Sequence, residues 1–83
     1  MRFTVVSRPI ADDELASIYL QAPNRREVDR ACRIIERTLK QRGRRGAAVA
    51  PGRHYFTAYP LTVAFDVSLD DCMLVVVGYE YHP

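Results

Sequence analysis

The hydrophobic periodicity of this chain changes twice, from two residues to between three and four and back to two. That succession limits the fold more than any other feature. A short strand-like start, Phe3-Thr-Val-Val6, comes first. Two amphipathic helical patterns follow, and the rest reads as a three-stranded antiparallel run ending in the apolar stretch Leu74-Val75-Val76-Val77. Eighty-three residues leave room for one core, so residues 1–83 are read as a single α+β domain of β-α-α-β-β-β order. In it a helical hairpin packs on one face of a small twisted antiparallel sheet.

Each element has a local cause. Ser7-Arg8-Pro9 ends the first strand; Pro9 suits the first helical turn, where its missing N–H costs nothing, and Ser7 is placed to cap. Asp12, Asp13 and Glu14 sit where the helix dipole favours acid, and Leu15, Ile18, Tyr19 and Ala22 form one apolar stripe. Asn24 suits the next N-cap, with Glu27 three residues on approximating a capping box. The second stripe is Val28, Ala31, Cys32, Ile35 and Leu39, with Gly43 as the stop signal. The linker over 44–52 holds a short edge strand at 47–50. Strands are then predicted over 54–59, 61–67 and 73–81, with turns at Pro60 and at Ser68-Leu-Asp-Asp71. The last strand is apolar on both faces, as a central strand covered on each side would be.

Charge is sorted along the chain. Nine of the twelve basic residues lie between Arg25 and Arg45, which gives that segment a net +6, against −1 before it and −3 after it. Such a field orients a protein toward a polyanion or an acidic partner. For any single arginine the plainer reading is a solvated helix face. Arg26, Arg30, Arg33 and Arg37 follow i, i+4, i+7 and i+11, so they line one face opposite the apolar stripe. With Arg44 and Arg45 they are the candidate contacts for a partner or for nucleic acid phosphates. No aromatics interleave with them, which argues against a single-strand stacking platform.

Other classes are disfavoured. Cys32 and Cys72 do not make a disulfide framework and are read as thiols, Cys32 as a small core residue. His54 and His82 stand far apart with no Cys or His at ligand spacing, so no metal is expected, and no cofactor. No segment approaches a membrane span or a signal peptide, which makes the cytoplasm the expected compartment.

Several pieces together resemble the bacterial RelE/ParE toxin superfamily. They are Ala11-Asp-Asp-Glu-Leu-Ala16 with Ile18-Tyr-Leu20, then Ile35-Glu36 and Leu39, Gly52-Arg53, and Pro60-Leu61-Thr-Val63-Ala-Phe65-Asp-Val67. The likeness spans roughly residues 3 to 79. It implies that the first strand pairs inside the sheet. It also implies the toxin role in a type II toxin–antitoxin pair, of the kind tied to plasmid stabilization and growth inhibition. The partner would be a cognate antitoxin that wraps the toxin as a helix or added strand.

The superfamily holds two mechanisms. RelE-like members cut messenger RNA on the ribosome; ParE-like members bind DNA gyrase and cut nothing. Cleavage requires an activated 2′-hydroxyl and stabilised phosphate charge, supplied in RelE-like toxins by Lys and Arg on the sheet with a C-terminal Tyr or His. Here the last strand reads Val77-Gly78-Tyr79-Glu80-Tyr81-His82, with Glu80 near the point where the nucleases tend to carry a base. The remaining nuclease candidates are Arg53, His54, Tyr81 and His82, the last beside Pro83 at an end where fraying is expected. The resemblance is therefore closer to the ParE-like members, which act by binding. A RelE-like ribosome-dependent endonuclease is the alternative, and a non-toxic interaction module on the same fold is a second one. Monomer and dimer both stay open.

Overall fold

A computed structural model describes residues 2–45 and 50–83 of the chain. Its elements are β1 (Thr4–Ser7), α1 (Pro9–Gln21), α2 (Arg25–Arg45), β2 (Gly52–Ala58), β3 (Leu61–Ser68) and β4 (Met73–Tyr81). The β-α-α-β-β-β order and the α+β class are as the periodicity implies. The edge strand expected over 47–50 falls mostly outside the described residues.

The four strands lie in the order β1-β4-β3-β2. Hairpins join β2 to β3 and β3 to β4, so both pairs are antiparallel. β1 instead runs parallel to β4, from Thr4 opposite Met73 to Ser7 opposite Val76. The sheet is thus mixed rather than wholly antiparallel, and β1 is an edge strand rather than an inner one. The reason is physical: periodicity reports which face of a strand is buried but not which distant strand it pairs with, or in which direction.

Both helices and one face of the sheet share one core. Ala11 and Ile18 of α1, Val28, Ile35 and Leu39 of α2, and Leu61, Val63 and Phe65 of β3 are all buried. The α2 stripe is the one its spacing gives, since apolar residues on one helix face must find apolar cover. β3 alternates buried and half-buried without a break. β4 does lie between two strands, yet its residues away from the helices stay half-exposed, because the helices cover one face only. The end of its apolar run is a bulge: Ala64 pairs with Gly78 but Phe65 with Val76, leaving Val77 extra. Past that point Tyr79 and Tyr81 fall in register with Val63 and Leu61.

Two capping expectations come out differently. Asn24 Oδ1 accepts the Arg26 N–H at 3.2 Å, as an N-cap should. Ser7, however, is not the cap of α1; Arg8 holds that position with no side-chain bond. Ser7 is still strand, paired opposite Val76, and its hydroxyl donates to Asp12 Oδ1 at 2.8 Å instead. Gly43 does not stop α2, which runs on to Arg45. A Cβ there would lie 2.7 Å from the Phe3 carbonyl oxygen, and the Phe3 N–H donates to the Gly43 carbonyl at 2.8 Å. Glycine marks the place where the start of the chain docks on the helix. Among the described residues, no helix is long and apolar enough to cross a membrane.

Candidate functional site

The register of β2, β3 and β4 decides which of the nuclease candidates meet. Arg53 lies opposite Asp66. Its Nε donates to Asp66 Oδ1, and its Nη2 reaches Oδ2 at 3.4 Å. The hydrogen bond from Arg53 holds the Asp66 carboxyl below its usual range, and the same bond raises Arg53 further. His54, one residue on, shares a register position with Phe65 and so belongs to the helix side. It stacks on that ring at 5.7 Å and its Nε2 donates to the Ala50 carbonyl at 2.7 Å.

Tyr81 pairs with Leu61 and packs half-buried against the core, again on the helix side. His82 is held rather than frayed. Its backbone N–H donates to the Pro60 carbonyl at 2.7 Å, and its Nε2 is hydrogen bonded at 2.8 Å to Thr62 Oγ1, which bonds Thr57 Oγ1 at 2.8 Å. Arg53 and His82 therefore share the helix-free side, but Arg53 and the Thr57–Thr62 pair that holds His82 are four strand residues apart, roughly 13 Å. The four candidates are split between two faces and do not converge on one phosphate-sized position.

The basic face of α2 is assembled as its spacing implies. Arg26, Arg30, Arg33 and Arg37 are all exposed, and only Arg33 among them has an ion-pair partner within the described residues, Asp29 at 3.1 Å. Arg33, Glu36, Arg37, Lys40 and Gln41 line a shallow cleft of about 350 Å³. Ile34, 41% exposed, lies on the same helix between these cations. Two neighbours leave this surface. Arg25 turns back to donate from Nε to the Tyr19 carbonyl at 3.1 Å, tying the helices together. Arg42 places its guanidinium 5.7 Å from the centroids of both Phe56 and Phe65, over the sheet. Arg44 and Arg45 close the helix.

Between the helices, Tyr19 Oη donates to Asp29 Oδ1 at 3.0 Å and lies 3.7 Å from Cys32 Sγ. Burial pushes the Cys32 thiol and the Tyr19 phenol up, and pushes Tyr79 up to about 12. All three stay protonated near neutrality, which suits packing and not nucleophilic or base catalysis.

One grouping escapes sequence reasoning. Tyr55, Ala64 and Gly78 form a row across β2, β3 and β4, on the side away from the helices. With Thr62, Glu80 and Glu14 of α1 they line a cleft of about 140 Å³. The only hint in the sequence is Gly78, a glycine inside an apolar strand, which often marks a close approach. Here a Cβ would meet Glu14 Oε1 at 2.9 Å. Among the described residues, no three His, Cys, Asp or Glu side chains gather to hold a metal ion. Comparison with protein-family models finds no match to this chain, and comparison with curated proteins finds none either.

Proposed function

We propose that the chain is the toxin of a type II toxin–antitoxin pair, ParE-like in acting by binding rather than by cutting, and neutralised by a cognate antitoxin in the cytoplasm. The observation that carries this reading is the separation of charge. Among the described residues, Arg26, Arg30 and Arg37 stand unpaired on the outer face of α2 beside the Asp29-bound Arg33, while the helix-free side of the sheet holds Glu14 and Glu80, with Arg53 and Arg8 drawn to Asp66. Phosphate in flight needs positive charge around it. A sheet that offers carboxylates instead is ill suited to RNA cleavage, and the arginine row of α2 suits contact with an acidic protein surface. DNA gyrase is the target class put ahead of the ribosome, on the ParE-like resemblance.

The test is tightly induced expression of this chain alone in a bacterial host, with chromosome content and translation rate followed together. Arrest with a chromosomal defect is expected, unchanged by His54→Ala with His82→Ala. The quadruple variant R26Q/R30Q/R33Q/R37Q is expected to be folded and to arrest growth far less. Arrest that depends on the two histidines, with cleaved messenger RNA, would return the chain to the RelE-like reading. Normal growth with folded protein in the cells would make it an interaction module.

A further inference from the structure

We propose that the cleft on the helix-free side of the sheet is a docking site for a cationic side chain, an arginine or a lysine, presented by a protein partner. The site is built from the row Tyr55–Ala64–Gly78. Ala64 and Gly78 have almost no side chain, so the middle of the row is a floor, and Tyr55 rises at one end with its residue 67% exposed. At the other end α1 packs on β4 and delivers Glu14, whose carboxylate lies so close to Gly78 that a Cβ there would touch it at 2.9 Å. Glu80 lines the cleft from the next row, opposite Thr62. Among the described residues neither carboxylate has a hydrogen bond or an ion pair. The cations of this side, Arg53 and Arg8, act on Asp66, and Arg53 also interacts with the Tyr55 hydroxyl, which leaves the Tyr55 ring face.

Size and charge select the occupant. About 140 Å³ is well below the roughly 300 Å³ at which sites for whole small molecules begin, so the cleft takes one side-chain head and not a free metabolite. Two unpaired carboxylates repel phosphate, which excludes a nucleic acid backbone, and attract guanidinium or ammonium. The exposed Tyr55 ring offers a face for cation–π contact with the same group. Nearby hydroxyls of Thr57 and Thr62 are already bonded to each other and to His82, so the free acceptors of the cleft are the carboxylates. The complementary partner is thus a basic protein segment, opposite in sign to whatever meets α2. The inference does not depend on the chain being toxic.

The test is an amide chemical-shift titration of the full chain with three blocked pentapeptides: Gly-Gly-Arg-Gly-Gly, its lysine analogue and its citrulline analogue. Citrulline keeps the shape of arginine and removes the charge. The arginine and lysine peptides are expected to shift Glu14, Tyr55, Ala64 and Gly78 with half-saturation on the order of millimolar, and the citrulline peptide to leave them unmoved. E14Q/E80Q, folded by the same spectra, is expected to bind at least about tenfold more weakly. G78A, which displaces the Glu14 carboxylate while leaving both charges, is expected to weaken binding as well. Equal shifts with arginine and citrulline, shifts elsewhere on the molecule, or full binding by E14Q/E80Q would overturn the proposal. So would shifts at the same residues that grow with protein concentration alone and vanish in R26Q/R30Q/R33Q/R37Q. The occupant would then be a second copy of this chain.

Discussion

Glycine 43 shows what a single residue conceals in a sequence and reveals in a fold. By position it reads as a helix stop; in the structure it lies inside α2 against the Phe3 backbone, at 2.7 Å from a would-be Cβ. An alanine in mid-helix ordinarily gains about 1 kcal/mol over glycine. Here Gly43→Ala is expected to cost about 1–3 kcal/mol instead, because the atom it meets is backbone that cannot step aside. Urea unfolding checks the sign, and faster amide exchange at Phe3 checks the cause. Gly78 is the contrasting case, since its neighbour is the end of the flexible Glu14 side chain. Tyr79 yields a pH prediction. Its phenol, ordinarily near 10, is pushed up to about 12 by burial. A raised acid stabilises the fold fully below its unfolded value, and that contribution disappears as pH climbs through the folded one. Urea midpoints are therefore expected to fall between about pH 10 and 12. Tyr79→Phe should flatten the decline, and Tyr19→Phe with it should flatten it further, as burial raises Tyr19 too. An unchanged decline in the double variant would assign it elsewhere.

Elements were legible in proportion to how much of their information is local. The α2 stripe is fully set by spacing, and its members are buried apart from the half-buried Cys32; so Leu39→Ala, fully buried, is expected to cost about 2–5 kcal/mol. Ile34→Ala, on the exposed side of the same helix, should cost well under 1 kcal/mol, roughly the surface level. A thermal or urea series of the two separates stripe from surface. The Asn24 cap was also readable, because an Asx residue before a helix acts on a backbone N–H two residues away. What sequence withheld was long-range. The parallel pairing of β1 with β4, the bulge at Val77 and the row that joins Tyr55 to Gly78 all depend on which strands meet. Ser7 illustrates the boundary between the two. It has the right chemistry for a cap, but strand pairing keeps it in β1 and leaves Arg8 at the helix entrance. The candidate site follows the same division: the arginine face of α2 came from helical spacing, and the carboxylate cleft only from sheet register.

On the scale of the molecule, charge and shape are arranged so that one helix carries most of the cations and the remaining elements carry most of the acids. Near neutrality ten carboxylates oppose twelve Lys and Arg, and the chain is only +2. In acid that opposition is withdrawn while α2 keeps every positive charge. Among the described residues two of the acids hold arginines directly, Asp29 on Arg33 and Asp66 on Arg53. Asp66 is depressed by the Arg53 hydrogen bond, so its contribution is present above the ordinary carboxylate value and lost only as pH falls through its lower folded value. Acid unfolding should therefore be driven by repulsion along α2, and repulsion between exposed cations is screened by salt within about 10 Å at 0.1 M. Raising sodium chloride from 10 to 500 mM is expected to move the acid midpoint, followed by circular dichroism, to lower pH. R26Q/R30Q/R33Q/R37Q should shift it the same way without salt and respond less when salt is added. A salt-independent midpoint in both proteins would mean that protonation of Asp66 and its fellow carboxylates unfolds the chain by itself. The arginine row would then carry no stored repulsion for an acidic partner to relieve.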